Sequence, residues 1–166
     1  HTFALRLCLW RNIRTAHGSM GAWRSERKLF MGTELSGKTL GIVGVGRIGG
    51  ALAKRAQAFE MKVIAYDPIL TKLKADALGV ELVEVDELVE RSDFISVHVP
   101  KTDKTSNMFA MEQFKRMKPS CRIINAARGG IVNGTDLAQE LKEKVNAGAA
   151  RNVYTKETFE NNPRRG

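Results

Sequence analysis

TLGIVGVGRIG, the stretch from residue 39 to residue 49, decides the fold of this chain. Its first half is an apolar run that predicts a buried strand, and a predicted helix over 47–59 follows it. Three glycines stand between and within these elements at the spacing GxGxxG: Gly44, Gly46 and Gly49. In such a unit the first glycine permits a tight turn, and the second lets a phosphate group approach the backbone. The third lets the helix pack closely on the strand, so the stretch predicts a phosphate-binding turn.

A second predicted strand over 62–66 leads to Asp67, which lies 18 residues after Gly49. A carboxylate about 20 residues beyond the glycines accepts hydrogen bonds from the ribose hydroxyls of a dinucleotide. It also repels a 2′-phosphate, so the sequence predicts NAD rather than NADP as cofactor. The alternative is that the glycines are ordinary turn residues and that Asp67 caps a helix ahead of Pro68.

Short strand-like runs alternate with helical segments from residue 38 onward, which predicts the α/β class with a Rossmann-type doubly wound parallel sheet. The predicted strands cover 39–44, 62–66, 81–83, 94–97, 122–125 and 149–154. The predicted helices cover 47–59, 70–78, 85–91, 111–117 and 134–144. We expect an N-terminal helix and arm over 1–37, a cofactor-binding domain over 38–157 and a frayed tail over 158–166.

Two side chains at predicted strand ends are candidates for chemistry, because ligands of open α/β sheets bind outside the carboxyl ends of the strands. Arg128 follows the strand over 122–125 and can bind a carboxylate through paired hydrogen bonds. It could equally be a surface arginine beside the glycine turn that follows it. His98 ends the strand over 94–97 and is either a general acid or base or, more simply, a packing residue.

The composition narrows the classes of partner. The net charge of +9 suits an anionic ligand, but no nucleic-acid-reading motif accompanies it, and we expect no nucleic-acid partner. No apolar run approaches the roughly 20 residues that cross a bilayer, and we expect no membrane partner. Cys8 and Cys121 stand in apolar contexts without CxxC spacing, which predicts buried thiols. We expect a cytoplasmic protein without a metal site.

Five motifs in this order resemble the D-isomer-specific 2-hydroxyacid dehydrogenases: HTFALRL, ERKLFMGTELSGKTLGIVGVGRIGG, KVIAYDP, DFISVHVP and INAARGGIV. The resemblance runs from residue 1 to about residue 157. The segment ERKLFMGTEL with GKTLGIVGVGRIG is most similar to the NAD-dependent members that oxidise 3-phosphoglycerate, the first step of serine synthesis. Such enzymes enter this domain from a substrate domain and later return to it. The resemblance therefore implies one domain of a longer enzyme, inactive without a catalytic histidine that lies after residue 166.

The resemblance also implies roles for individual residues. Arg128 would bind the substrate carboxylate and polarise its keto or hydroxyl oxygen, and Glu157 would pair with the catalytic histidine and raise its pKa. His98 is not that histidine. Residues 1–37 would cross to a second subunit and form at least a homodimer. The cofactor would contact Gly44, Gly46, Arg47, Ile48, Gly49, Asp67, His98, Val99, Pro100, Ala126 and Asn152.

Three positions depart from the family pattern. Asn152 stands where the family usually has an aspartate that contacts the nicotinamide carboxamide. Arg151 replaces an apolar residue of the last strand, and burying an unpaired charge is costly, so we expect that strand to be displaced or exposed. Asn133-Gly134 replaces an acidic pair, and we expect Asn133 to cap the helix that follows.

Other functions fit the same residues. The substrate could be another 2-hydroxyacid, as in glyoxylate or hydroxypyruvate reductases and D-lactate dehydrogenases. The chain could instead be a non-enzymatic NADH-sensing module like the family's transcriptional corepressors, which needs no proton shuttle. A degenerate piece that does not fold is the third alternative, suggested by Arg151. Arg128 and Glu157 together favour the enzyme.

Overall fold

A computed structural model of the chain describes residues 33–142 and 148–151, and in this part six strands alternate with five helices. The strands are β1 (Thr39–Val43), β2 (Lys62–Tyr66), β3 (Glu81–Leu82), β4 (Phe94–Val97), β5 (Arg122–Asn125) and β6 (Gly148–Arg151). The helices are α1 (Arg47–Ala58), α2 (Lys72–Ala77), α3 (Val85–Arg91), α4 (Met111–Arg116) and α5 (Gly134–Lys142). The helix and arm expected over 1–37 and the tail over 158–166 lie almost wholly outside the described residues, and the domain division stays a prediction.

The six strands form one sheet in the order β3-β2-β1-β4-β5-β6, and every neighbouring pair is parallel. This is the strand order of the doubly wound dinucleotide-binding fold, so the predicted Rossmann-type sheet is confirmed. The chain runs outward from β1 to β3 and then returns to β4 on the other side of β1. The strand order therefore reverses between β1 and β4, and ligands of such sheets bind in the crevice at that reversal.

Two hydrophobic clusters cover the two faces of the sheet, because successive side chains of a strand point to opposite faces. Ile42 of β1 is buried in one cluster, and the next residue, Val43, is buried in the other. Helix α1 covers the first cluster with small alanines. Helices α3, α4 and α5 each contribute a large buried side chain to the second: Leu88, Phe114 and Leu137. Each such side chain stabilises the fold by roughly 1.5–3 kcal/mol.

Strand β6 corrects one expectation. Its backbone pairs with β5 along the whole strand, and Arg151 lies opposite Asn125. Of the two expectations for this strand, displacement is therefore wrong, and exposure of Arg151 stays a prediction. Within the described sheet, β6 forms an edge.

The predicted cap of α5 is confirmed. Asn133 Oδ1 accepts hydrogen bonds of 3.1 and 3.2 Å from the backbone N–H groups of Thr135 and Asp136. These amides belong to the first turn of the helix and have no carbonyl partner within it. The amide side chain therefore replaces the acidic residue usual in the family without loss of the cap.

Cys121 is a buried free thiol, as predicted. Burial, and then the charge of Asp93, raise the pKa of this thiol to about 12, so it stays protonated and unreactive at neutral pH. Cys8 lies outside the described residues. Within residues 33–142 and 148–151, no helix is long and apolar enough to cross a membrane.

Candidate functional site

The turn after β1 is built on Gly44 and Gly49. Gly44 has a φ of +91°, and a Cβ placed on it would lie 2.9 Å from Val99 Cγ1 and 3.1 Å from Val99 N. A Cβ on Gly49 would overlap the Gly44 carbonyl oxygen. Gly44 therefore provides the turn and the close approach to the loop after β4, and Gly49 lets α1 begin directly against the turn.

Gly46 has a different environment. It is exposed, and a Cβ on it would meet nothing within 4 Å. It is the N-cap of α1, and the first turn of this helix has neither a side-chain cap nor an acidic residue. The N–H groups there lack acceptors and carry the positive end of the helix dipole. Open space in front of such a turn fits a pyrophosphate.

Arg47 and Ile48 begin α1 beside this space. Ile48 is 66% exposed, although it is a large apolar residue. Arg47 is also exposed and makes no ion pair with any residue in the described ranges. The free amides and the unpaired guanidinium of Arg47 are suited to a phosphate group. The exposed side chain of Ile48 is suited to the apolar face of a ribose or a ring in the same ligand.

Asp67 connects two turns at the end of β2. Its Oδ2 accepts a hydrogen bond of 2.8 Å from the Val45 N–H, and its Oδ1 accepts bonds of 2.9 and 3.2 Å from the N–H groups of Ile69 and Leu70. A carboxylate has about four acceptor positions, so one remains for a ribose hydroxyl. The alternative that Asp67 caps a helix is wrong, because α2 begins at Lys72 with Thr71 as its N-cap.

The residues after β4 lie against the turn after β1. The His98 N–H donates to the Val43 carbonyl at 2.7 Å, and its Nε2 lies 2.8 Å from Ser96 Oγ. Burial lowers the pKa of His98 below its ordinary value of 6.5, so the imidazole is neutral at pH 7. Val99 is buried and Pro100 is exposed. Because His98 is half-buried and hydrogen-bonded, its contacts are those of a packing residue at the sheet edge.

The turn after β5 depends on Asn125. From the sequence, this residue is placed at the end of a predicted strand and is given no further role. This side chain is 2% exposed. Its Nδ2 donates to the Arg128 carbonyl at 3.0 Å, and its Oδ1 accepts a bond of 3.1 Å from the Ala127 N–H. The turn leaves Ala126 and Arg128 exposed. A buried Asn at a strand end that bonds the backbone two residues on is an Asx turn, and INAARGG carried that signal.

The structure brings most of the predicted site residues to one edge. The turns that carry Gly46, Asp67, His98 and Arg128 follow β1, β2, β4 and β5, so all lie at the carboxyl edge of the sheet. Asn152 and Glu157 lie outside the described residues and stay predictions. Within the described ranges, no group of three His, Cys, Asp or Glu side chains is placed to hold a metal ion.

Several known proteins with similar sequences are named D-3-phosphoglycerate dehydrogenase. The D-3-phosphoglycerate dehydrogenase of Archaeoglobus fulgidus is 46% identical over 157 residues, which cover 95% of this chain and 30% of that protein. The same enzyme of Methanocaldococcus jannaschii is 45% identical over 163 residues, with 98% and 31% covered. That of Rattus norvegicus is 44% identical over 156 residues, with 94% and 29% covered. The chain thus spans about 30% of the length of these curated relatives.

Solved structures with the same fold include enzymes bound to NAD. The holo form of Rhodotorula graminis D-mandelate dehydrogenase superposes with a TM-score of 0.82 at 31% identity, covering 92% of this chain and 45% of that one. An NAD-complexed D-isomer-specific 2-hydroxyacid dehydrogenase of Lactobacillus delbrueckii superposes with a TM-score of 0.73 at 30% identity, covering 83% and 44%.

A family model described as D-isomer specific 2-hydroxyacid dehydrogenase, NAD binding domain, matches residues 3–165. This match spans nearly the whole chain, and the open turn at Gly46 and the acceptor at Asp67 fit the dinucleotide that its description names. The chain therefore belongs to the NAD-binding domain family of the D-isomer-specific 2-hydroxyacid dehydrogenases.

Proposed function

We propose that this chain is the NAD-binding domain of a D-3-phosphoglycerate dehydrogenase, and that the whole protein oxidises 3-phosphoglycerate to 3-phosphohydroxypyruvate. The observation that carries the substrate is sequence identity. Relatives named D-3-phosphoglycerate dehydrogenase are 41–46% identical to this chain. Solved neighbours named for mandelate, glyoxylate or lactate are 28–33% identical.

The carboxyl edge of the sheet would hold the dinucleotide. The free amides of α1 after Gly46 and the guanidinium of Arg47 would bind its pyrophosphate. Asp67 would accept from the adenine ribose through its remaining acceptor position. Residues at the ends of β4 and β5 would hold the nicotinamide half. Besides Gly44, Ile48 and Gly49, the residues proposed to line this path are His98, Val99, Pro100, Ala126 and Asn152.

Arg128 holds the acid beside the nicotinamide. Its side chain is exposed, and among the described residues it makes one hydrogen bond, from Nη1 to the carbonyl of the neighbouring Ala127 at 3.2 Å. A guanidinium has five N–H donors, so a paired contact with a carboxylate is available, and the same group polarises the C2 oxygen. Bound NAD supplies the hydride acceptor. Glu157 raises the pKa of a histidine from the whole protein, which takes the hydroxyl proton.

A pair of arginine variants tests the role of Arg128. The NAD-saturated chain is titrated with 3-phosphoglycerate and with D-lactate by ligand-observed NMR. Arg128→Met should weaken binding of either acid about tenfold or more, because it removes charge-assisted hydrogen bonds. NADH affinity should not change. Arg122→Met is the matched control, since Arg122 lies at the start of β5 and Arg128 lies in the turn after the end of this strand.

Three results would contradict the proposal. Unchanged acid binding by Arg128→Met would remove the arginine from the site. Tighter binding of D-lactate than of 3-phosphoglycerate to the unaltered chain would assign another 2-hydroxyacid. NADH binding without any acid binding would favour a dinucleotide-sensing module over an enzyme.

The assembly is the remaining element of the proposal. We propose that residues 1–37 join two copies of the chain in the whole enzyme. Sedimentation equilibrium of the chain, and of a variant that begins at residue 38, tests this directly. A dimer that becomes a monomer on removal of the segment agrees with the proposal, and a monomer in both cases contradicts it.

A further inference from the structure

Lys101 crosses between the two connections that border the proposed substrate position. It follows Pro100 in the connection from β4 to α4, and its side chain lies over Gly130 in the connection from β5 to α5. A Cβ built on Gly130 would lie 2.9 Å from Lys101 Nζ and 3.1 Å from its Cε. Gly130 also has a φ of +87°. Glycine at this position thus supplies both the backbone conformation and the room that the lysine occupies.

The backbone around Lys101 is fixed. Thr105 Oγ1 donates to the Pro100 carbonyl at 2.7 Å and accepts a bond of 2.8 Å from the Thr102 N–H. The Asn107 N–H donates to the Gly130 carbonyl at 2.8 Å, which joins the two connections directly. The base of the lysine side chain and the surface under it are therefore held in one arrangement.

The ammonium of Lys101 has no acceptor in the described part of the chain. No hydrogen bond or ion pair joins it to any residue of 33–142 or 148–151, although a lysine offers three N–H donors. A ligand with a hydrogen-bond acceptor at this point would pair with the Lys101 ammonium, which has no acceptor among the described residues.

The position of Lys101 indicates which ligand that is. Gly130 lies two residues beyond Arg128, at the β4–β5 half of the sheet edge. The pyrophosphate position lies at the start of α1, which follows β1. The cofactor phosphates are therefore assigned to another part of the edge. Lys101 lies against Gly130, in the connection that also carries Arg128, the group proposed to bind the substrate carboxylate.

We propose that Lys101 binds a second anionic group, a phosphate, of a 2-hydroxyacid whose carboxylate is held by Arg128. This inference rests on the proposed function and deepens it, because it places part of the phosphate specificity within the cofactor-binding domain. A lysine is suited to this role, since it binds phosphate as a mobile point charge without a required planar geometry.

The test compares two acids that differ by the phosphate. The NAD-saturated chain is titrated by NMR with 3-phospho-D-glycerate and with D-glycerate. Lys101→Met should weaken binding of the phosphorylated acid about tenfold, the expected effect of losing one hydrogen bond between charged groups. Binding of D-glycerate should change less than about twofold, as expected when a surface charge has no partner. Lys101→Arg should retain the preference for the phosphorylated acid.

Lys104→Met is the matched control, because Lys101 and Lys104 are both exposed and Lys104 lies three residues further along the same connection. It should change neither affinity. Equal affinity of the unaltered chain for the two acids would overturn the proposal, and so would an equal loss for both acids in Lys101→Met. Failure of the proposed function gives a different result: Arg128→Met then leaves D-glycerate binding unchanged, whatever Lys101→Met does.

Discussion

The Val45 N–H donates a hydrogen bond of 2.8 Å to Asp67 Oδ2, so the end of β2 holds the turn that follows β1. The Gly44 N–H reinforces the connection through a bond of 2.9 Å to the Tyr66 carbonyl. The acid assigned to the adenine ribose therefore also fixes the turn assigned to the pyrophosphate. A single side chain thus connects the two positions that are proposed to contact one dinucleotide.

Alanine substitutions at Gly46 and Gly49 should have different effects, one on NADH binding and the other on stability. Gly46→Ala places a methyl group in open space at a negative φ, so the melting temperature should change little while NADH binding weakens. Gly49→Ala forces a methyl group onto the Gly44 carbonyl and should lower stability by about 1–3 kcal/mol or more. Thermal unfolding and NADH fluorescence titration measure both. Loss of stability in Gly46→Ala, or tolerance of Gly49→Ala, would contradict the described turn.

Asp93 should stabilise the opposite edge of the sheet in a pH-dependent manner. Its Oδ2 accepts the Thr39 N–H at 2.8 Å, and its Oδ1 lies 3.0 Å from Lys118 Nζ. Burial alone would raise the pKa of Asp93, but the Thr39 amide and then Lys118 lower it below the ordinary 3.8. A lowered pKa gives stability that is fully present above 3.8 and is lost as the pH falls through the folded-state value.

Asp93→Ala should therefore cost about 1–3 kcal/mol at neutral pH, and the difference from the unaltered chain should shrink below the ordinary carboxyl pKa. Urea unfolding of both chains at about pH 7 and about pH 3 measures this difference in the free energy of unfolding. Asp103→Ala is the control, because Asp103 is exposed and makes no ion pair within the described residues. A difference that does not depend on pH would contradict the role of the charge.

Glu140 should be a site where stability can be gained. Its side chain is 1% exposed, and within the described part of the chain its Oε2 has no hydrogen-bond partner. Replacing an unsatisfied buried carboxylate with an apolar side chain of similar length removes the desolvation cost. Glu140→Met should raise the free energy of unfolding by about 1–3 kcal/mol, whereas Lys142→Met on the same helix should change it little. A less stable Glu140→Met variant would show that the carboxylate has a partner.

His98 should titrate below its ordinary pKa of 6.5, because burial disfavours the imidazolium. The neutral side chain then stabilises the fold fully above pH 6.5, and this contribution is lost as the pH falls through the lower folded-state pKa. NMR titration measures this value, and His98→Asn assigns the resonance among the three histidines. A pKa above 6.5 would place an unrecognised anion beside the ring.

The sequence predicted the sheet and the positions of the turns after β1 and β2 well, because alternation of apolar runs and glycine spacing are local signals. The differences at element ends have local causes too. The predicted strand over 39–44 ends one residue earlier, since Gly44 adopts a positive φ. The predicted helix over 70–78 begins at Lys72, because Asp67 binds the amides of Ile69 and Leu70 in a turn.

Contacts between distant residues could not be predicted in this way. Asp93 and Thr39 are 54 residues apart, and neither residue type announces the pair. Lys101 and Gly130 meet only because β4 and β5 are neighbours in the sheet. Asn125 lies between these two cases. The sequence INAARGG indicated a turn after β5, but it did not show that the Asn125 side chain holds the turn that exposes Arg128.

The most direct test of the central claim is titration of the chain with NADH and NADPH, followed by nicotinamide fluorescence. Asp67→Asn removes the charge and one of the two accepting oxygens, so its thermal unfolding is measured alongside. Asp76→Asn on the exposed surface of α2 is its control. We expect NADH to bind about tenfold or more tightly than NADPH, with the difference reduced in Asp67→Asn only. Equal affinities in the unaltered chain, or no binding by a chain that melts cooperatively, would contradict the assignment of this sheet edge to NAD.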